Sequence, residues 1–276
     1  MRKIIDAHCH IYPSKIAERA VEGIRDFYQL GDTFSVGDND GTAETLLKIG
    51  ARNGVIHYLC HSVATIPAQV RSINEFIAGE QAAHPDLITG FGTLHPDSDD
   101  IGADLEHLIG SGLKGVKLHP DFQQFALDED RGYKLGEIIE AAGIPVLLHC
   151  GDRRYERSNP AQLKKFIEAF PNLTIIGAHL AGWKYWEEAA GIFPGTPNLY
   201  LDSCSSLAWL DRGKARDIIR MYGADRVMFG TDYPMWNMAE EIGRVEALGL
   251  TEEEEDQIFF GTAAKLLNIG KRTDYK

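Results

Sequence analysis

One unit, a short β-rich apolar run followed by an amphipathic stretch, recurs eight times along this chain, and few folds accept that pattern. The apolar runs are 3–11, 54–63, 87–95, 115–119, 145–150, 173–179, 199–203 and 226–232. The stretches with helical character are 14–29, 67–84, 102–110, 131–142, 160–170, 183–190, 211–222 and 237–248. Punctuation agrees, with Pro160 at a first helical turn and Gly143 and Gly223 just past helix ends. A ninth helix is expected over 251–267, where Thr251 caps an acidic run, Glu252 to Glu255, that complements the helix dipole and is read as structural. The Gly- and Asp-rich segment from about 31 to 42 reads as a long loop or lid.

Eight such units in 276 residues, with no Ser/Gly/Pro-rich linker, predict one (β/α)8 TIM barrel over 1–276 with an extra C-terminal helix. No G-x-G-x-x-G follows a strand, so an open dinucleotide-binding sheet loses its main signature. Lys plus Arg (28) against Asp plus Glu (41) leaves a net charge of −13, which disfavours nucleic acid and anionic membrane surfaces as partners. The start of the chain lacks a signal-peptide pattern and no apolar run reaches the length of a membrane span, so a cytoplasmic protein is expected. Cys9, Cys60, Cys150 and Cys204 show no C-x-x-C spacing and read as reduced core thiols. Cys9 should point away from the two histidines that flank it.

In such a barrel the active site lies at the C-terminal ends of the strands. Ionisable residues finish five of the apolar runs: His8 and His10, then Lys117 and His119, His149, His179 and Asp232. His8 and His10 stand two apart, so a strand aims both imidazoles the same way. Converging polar groups in a dry barrel mouth are costly without a compensating ion, which points to a metal centre. His57 and His61 on the second strand and His95 at the end of the third read at least as readily as structural; His84 and His107 fall in helices, at the surface.

These strand ends resemble the amidohydrolase superfamily, in its amidohydrolase-related (amidohydrolase 2) branch of TIM-barrel metal-dependent hydrolases and decarboxylases. The resemblance rests on Asp6-Ala7-His8-Cys9-His10, Gly115-Val116-Lys117-Leu118-His119-Pro120, Leu148-His149-Cys150-Gly151, Gly177-Ala178-His179-Leu180-Ala181-Gly182-Trp183 and Phe229-Gly230-Thr231-Asp232-Tyr233-Pro234, in the family's order. It implies that His8, His10, His149 and Asp232 hold the metal and that His179 is a nearby catalytic group. Nitrogen ligands with one carboxylate suit Zn²⁺, although Mn, Fe, Co or Ni fit a similar site. Some amidohydrolases bridge two metals with a carboxylated strand-four lysine; the Lys-x-His-Pro at Lys117 is common in the branch without that role, so one metal is expected, with Lys117 and His119 facing substrate.

The leading expectation is hydrolysis of an amide, ester or lactone, with the metal activating water and polarising a carbonyl, Asp232 as general base, and His179 steadying charge or handing over a proton. The alternative is metal-dependent non-oxidative decarboxylation, and a less favoured one is a non-catalytic metabolite-binding barrel. The substrate is expected to be a small, anionic molecule. Arg153, Arg154 and Arg157 after strand five offer forks for a carboxylate, or are solvated loop charges. Tyr155, Trp183, Tyr233 and Trp236 offer pocket walls, or outer packing. The sequence leaves homo-oligomerisation open.

Overall fold

The computed structural model describes residues 2–30 and 36–269. Part of the loop expected over 31–42 lies outside the described residues.

Nine parallel stretches make eight strand positions. They are β1 (Ile4–His10), β2 (Val55–His61), β3 (Ile88–Gly90), β4 (Gly92–Thr93), β5 (Val116–Leu118), β6 (Val146–Leu148), β7 (Ile175–Gly177), β8 (Leu199–Asp202) and β9 (Val227–Met228). Pairing runs β1-β2-β3 and then β4 through β9 in sequence order, all parallel. β3 and β4 are halves of one strand broken at Phe91, whose N–H reaches Cys60 O at 2.9 Å. The ring closes where Ala7 N donates to Phe229 O at 2.9 Å and His10 N to Tyr233 O at 2.8 Å. This is the expected α/β TIM barrel.

The helices are α1 (Ser14–Tyr28), α2 (Ala43–Arg52), α3 (Val70–Ala83), α4 (Ile101–Gly110), α5 (Pro120–Gln123), α6 (Asp130–Ala142), α7 (Pro160–Ala169), α8 (Trp186–Ile192), α9 (Arg212–Tyr222), α10 (Met238–Glu246), α11 (Glu252–Asp256) and α12 (Thr262–Leu266). Two were not anticipated, α2 and the single turn α5. α8 starts at Trp186 rather than 183, because residues 179–184 are occupied by a left-handed turn described below. The closing helix is interrupted by a π-helical stretch, Gln257–Gly261, within which the Ile258 carbonyl accepts from Phe229 N at 2.8 Å.

Apolar residues sort into two layers. An outer one, with Leu46, Tyr58, Leu108, Val116 and Phe166, packs strands against helices. An inner one, with Ile5, Leu59, Phe91, Leu147, Ile176 and Met228, fills the barrel and is joined by Ala263 and Ala264 of α12, which thus floors it.

The inner layer exposes a conflict that β1 resolves. Ile5 and Ala7 face the interior, so strict alternation would send Cys9 inward and His8 and His10 outward. Against β2, three steps from Asp6 to Cys9 match two from Tyr58 to Cys60, which is a β-bulge. The extra residue re-phases the strand, so Cys9 joins the outer layer and both imidazoles enter the barrel mouth. Asp6 pins the bulge: its buried carboxylate accepts from His8 N at 3.2 Å, Thr231 N at 3.0 Å and Thr231 Oγ1 at 2.5 Å. Burial raises this carboxyl to about 6 despite those donors.

Removing the carboxylate strands two buried N–H groups and a hydroxyl, so Asp6→Ala is expected to lower the unfolding free energy by about 3 kcal/mol in urea denaturation. A loss below about 1 kcal/mol would show that the bulge is held by something else.

Candidate metal centre and active site

Each strand-end residue arrives from its own element. His8 and His10 come from β1, Lys117 from β5, His119 from the residue after it, His149 and His179 from just beyond β6 and β7, and Asp232 from the turn after β9. All are buried except Asp232, whose side chain is 14% exposed. His8 Nε2 lies 3.2 Å from His10 Nε2, and both lie 3.4 Å from Asp232 Oδ1. On the far side, His179 Nε2 stands 3.0 Å from His149 Nδ1, while Lys117 Nζ approaches His8 Nε2 at 3.3 Å. The structure therefore brings His8, His10, Lys117, His119, His149, His179 and Asp232 round one space.

Partners on the other ring atoms assign the tautomers. His8 Nδ1 faces the Asp202 carboxylate at 2.7 Å, His149 Nε2 faces Gly151 O at 3.1 Å, and His179 Nδ1 faces Cys204 O at 3.1 Å. Each of those nitrogens donates, which leaves His8 Nε2, His149 Nδ1 and His179 Nε2 as lone pairs turned inward. The His149 and His179 lone pairs, 3.0 Å apart, and that of His8, 3.4 Å from the Asp232 carboxylate, repel their neighbours unless a cation or proton lies among them. The donor set fits a borderline divalent metal.

The charges fit that demand. Burial and the nearby Lys117 lower His8 to about 4, against the pull of Asp202 and Asp232, so its ring is neutral. Burial likewise lowers His10, and takes His149 well below the ordinary range. Burial opposes ionisation of Asp202, yet hydrogen bonds from His8 and the Cys204 thiol draw it down to about 2. Asp232 is also drawn well below the carboxylate range, burial being outweighed by His8, His10 and His179. Burial lowers Lys117, with Asp202 and Asp232 opposing. Asp202 was missed from sequence; ending β8, it orients His8 and also accepts from His179 N at 3.0 Å.

Backbone strain marks the same place. His179, Leu180 and Ala181 are left-handed in succession, with φ of 60°, 54° and 59°, and Asp232 has φ 54°. Non-glycine residues pay about 1 kcal/mol each for that conformation. The turn is held by His179 N on Asp202 Oδ1 and by Leu180 N on Asp202 O at 2.8 Å. Gly151, at φ 87°, lets the β6 loop touch this turn, since a Cβ there would sit 2.5 Å from Trp183 N.

Above the cluster is a small cavity of about 60 Å³, walled by Ile24, Tyr28, Leu30, Phe122, Trp183, Trp209, Met235 and Trp236. Its roof is the end of α1. Tyr28 OH is 2.9 Å from His119 Nε2, and His119 is stacked between Phe122 and His149 at 3.8 Å from each. Ser205 donates to Asp232 Oδ2 at 2.5 Å and accepts from Trp236 Nε1 at 2.8 Å.

Of the other expected pocket residues, Trp183 and Trp236 line the cavity, whereas Arg153, Tyr155 and Tyr233 lie outside its lining. Arg153 donates to Lys184 O at 2.9 Å and lies over Tyr185. Arg154 pairs with Asp152 at 2.6 Å and donates to Phe27 O, and Arg157 donates to Asp121 O at 3.0 Å. These forks tie the β6 loop to its neighbours and to α1, with Tyr155 packed between Arg157 and Phe27. His57 bonds at both nitrogens, to Asp86 O and Thr89 Oγ1, as a structural histidine does. All four cysteines are buried and free. Among the described residues, no helix is long and apolar enough to cross a membrane.

A parallel eight-position barrel carrying this cluster at its strand ends defines a TIM-barrel metal-dependent enzyme class. The Amidohydrolase family model (Amidohydro_2) matches residues 5–269, and the chain belongs to that family. An uncharacterised TIM-barrel protein from Bordetella bronchiseptica is similar at 24% identity and TM-score 0.79, covering 96% of this chain and 98% of that one. A 5-carboxyvanillate decarboxylase from Sphingomonas paucimobilis matches at 18% identity and TM-score 0.67, over 97% and 99%. A dihydroxybenzoic acid decarboxylase from Polaromonas, solved with manganese and the inhibitor 2-nitroresorcinol, matches at 17% identity and TM-score 0.68, over the whole of both chains. Comparison with curated proteins finds no match.

In metal-free protein, the His8 ring is expected to stay neutral, with its proton on Nδ1, down to near pH 4 in ¹⁵N imidazole NMR. Titration at or above the ordinary 6.5 would contradict the buried geometry. The unfolded chain protonates His8 first on acidification. Its contribution to stability is therefore complete above pH 6.5 and lost towards pH 4, about 3 kcal/mol in all.

Proposed function

We propose that this protein is a metal-dependent decarboxylase of a small, flat carboxylic acid, with His8, His10, His149 and Asp232 holding one divalent cation, zinc by preference. The observation that carries the reading is the small aromatic-walled cavity set directly over the inward-facing lone pairs. A divalent cation, when bound, supplies Lewis-acid polarisation of substrate oxygens. Among the described residues lining the cavity, Lys117 supplies the ammonium that meets an anionic oxygen. Trp183, Trp236, Tyr28 and Phe122 hold a planar body and exclude water. A carboxylate in such a place loses hydration that neutral carbon dioxide does not need, which favours C–C cleavage.

His179 Nε2 first takes a proton from solvent while Nδ1–H stays on Cys204 O; that Nε2 proton then passes to the electron pair left on carbon, which returns the ring to its neutral Nδ1–H form. Two structural relatives are named for decarboxylating aromatic acids, which supports the same substrate class. Hydrolysis is the second reading. Asp232 favours it, because Ser205 fixes Oδ2 and leaves Oδ1 beside His8 and His10, where a base would collect a proton from attacking water.

Elemental mass spectrometry should find about one transition-metal equivalent per chain in reconstituted protein, lost in His8→Ala. On a panel of hydroxybenzoic acids, aryl esters and lactones, carbon dioxide release supports decarboxylation; acid release without it transfers the assignment to hydrolysis. His179→Asn is expected to lower kcat at least about 100-fold with metal content unchanged. Wild-type protein that takes up no metal overturns both readings.

A further inference from the structure

His61 ends β2 in register with His10, and it is fully buried. Neither of its ring nitrogens has a hydrogen-bond partner. A neutral imidazole carries one N–H and one lone pair, and leaving such groups buried and unpaired costs about 1–3 kcal/mol each. A residue kept for packing has no reason to carry that cost, since phenylalanine or leucine would fill the place. His57, on the same strand, shows the contrast, because both its nitrogens are satisfied.

The His61 ring stands edge-on to two neighbours, 4.4 Å and 88° from His10 and 4.8 Å and 79° from His8, centroid to centroid. One ligand atom from each of the three residues lies within 4.8 Å of the others, and the His8–His10 pair is already at 3.2 Å. A cation about 2 Å from each nitrogen in a tetrahedral site needs them about 3.3 Å apart. The pair meets that spacing, and His61 is a short ring movement away.

We propose that His61 is a third imidazole ligand on the His8–His10 side of the metal centre, making that centre nitrogen-rich and selective for zinc, cobalt or nickel over manganese or magnesium. The proposal rests on the metal-dependent reading above. Its chemistry follows from donor type: imidazole suits borderline metals, while carboxylate and water suit the harder ones. With His61 the set holds four imidazoles, His8, His10, His61 and His149, against the single carboxylate of Asp232.

The test uses His61→Phe, which keeps a buried ring and its edge-on contacts but removes both nitrogens, and His61→Gln as a second variant should the first fail to fold. Metal-free wild-type and variant proteins of matching circular dichroism are titrated with Zn²⁺ and with Mn²⁺, and their Co²⁺ visible spectra are recorded. Zinc affinity is expected to fall at least about tenfold, manganese affinity to fall less, and the Co²⁺ bands to shift. Unchanged zinc affinity with an unchanged Co²⁺ spectrum overturns the His61 assignment while leaving the metal centre intact. Wild-type protein that binds none of these metals overturns the metal centre and the His61 assignment with it.

Discussion

The Asp6 carboxylate is the interaction on which the rest of the site depends. A barrel strand that fills the interior with Ile5 and Ala7 has no native means of presenting His8 and His10 to the same interior. One inserted residue provides it, and one buried carboxylate holds the insertion by gripping His8 N on its own strand and Thr231 across the seam. That grip also lies where the ring of strands closes. Closure of the barrel, the aim of the two imidazoles and the placing of Asp232, next to Thr231, are therefore one mechanical event.

A second carboxylate does for ring orientation what Asp6 does for backbone. Asp202 accepts the Nδ1 proton of His8 and the backbone N–H of His179, so β8 fixes both the lone pair of one histidine and the left-handed turn of another. The turn spends conformational energy to place His179 Nε2 against His149 Nδ1, and the barrel wall on either side supplies the rigidity that keeps it there. The outcome is a knot of electron pairs held closer than they would choose, which is the electrostatic definition of a cation site.

Much of this was legible in the sequence, for identifiable reasons. Eight strand–helix repeats without the glycine signature of an open dinucleotide-binding sheet favour the barrel, and ionisable residues at the ends of apolar runs read as site residues because the fold puts strand ends together. Long-range detail was not legible. Arg153, Arg154 and Arg157 stand near the mouth in sequence, but loop carbonyls, Asp152 and the end of α1 claim their donors. Asp202 drew no reading from the sequence, since its role rests on a contact with His8 194 residues away. His61 could be told from His57 only by asking which histidine finds partners in three dimensions. α8 began late because a left-handed turn among Leu180 and Ala181 breaks no propensity rule that a window of sequence reports.

The roof over the cavity belongs to a different layer of the molecule from the chemistry beneath it. Ile24, Tyr28 and Leu30 cover the histidine and aspartate floor, yet α1 buries only Ala17 and Val21 in the core and is fastened at its end by Tyr28 on His119 and Arg154 on Phe27. The strand-end groups are rooted in strands whose loss would unmake the barrel; the cover is held by ring contacts of Phe27 and Tyr28 with Phe122, Trp183 and Arg154 and by two hydrogen bonds. Side chains at this end of α1 can therefore change, and with them the shape of what the cavity admits, without any change in the strands that carry the floor.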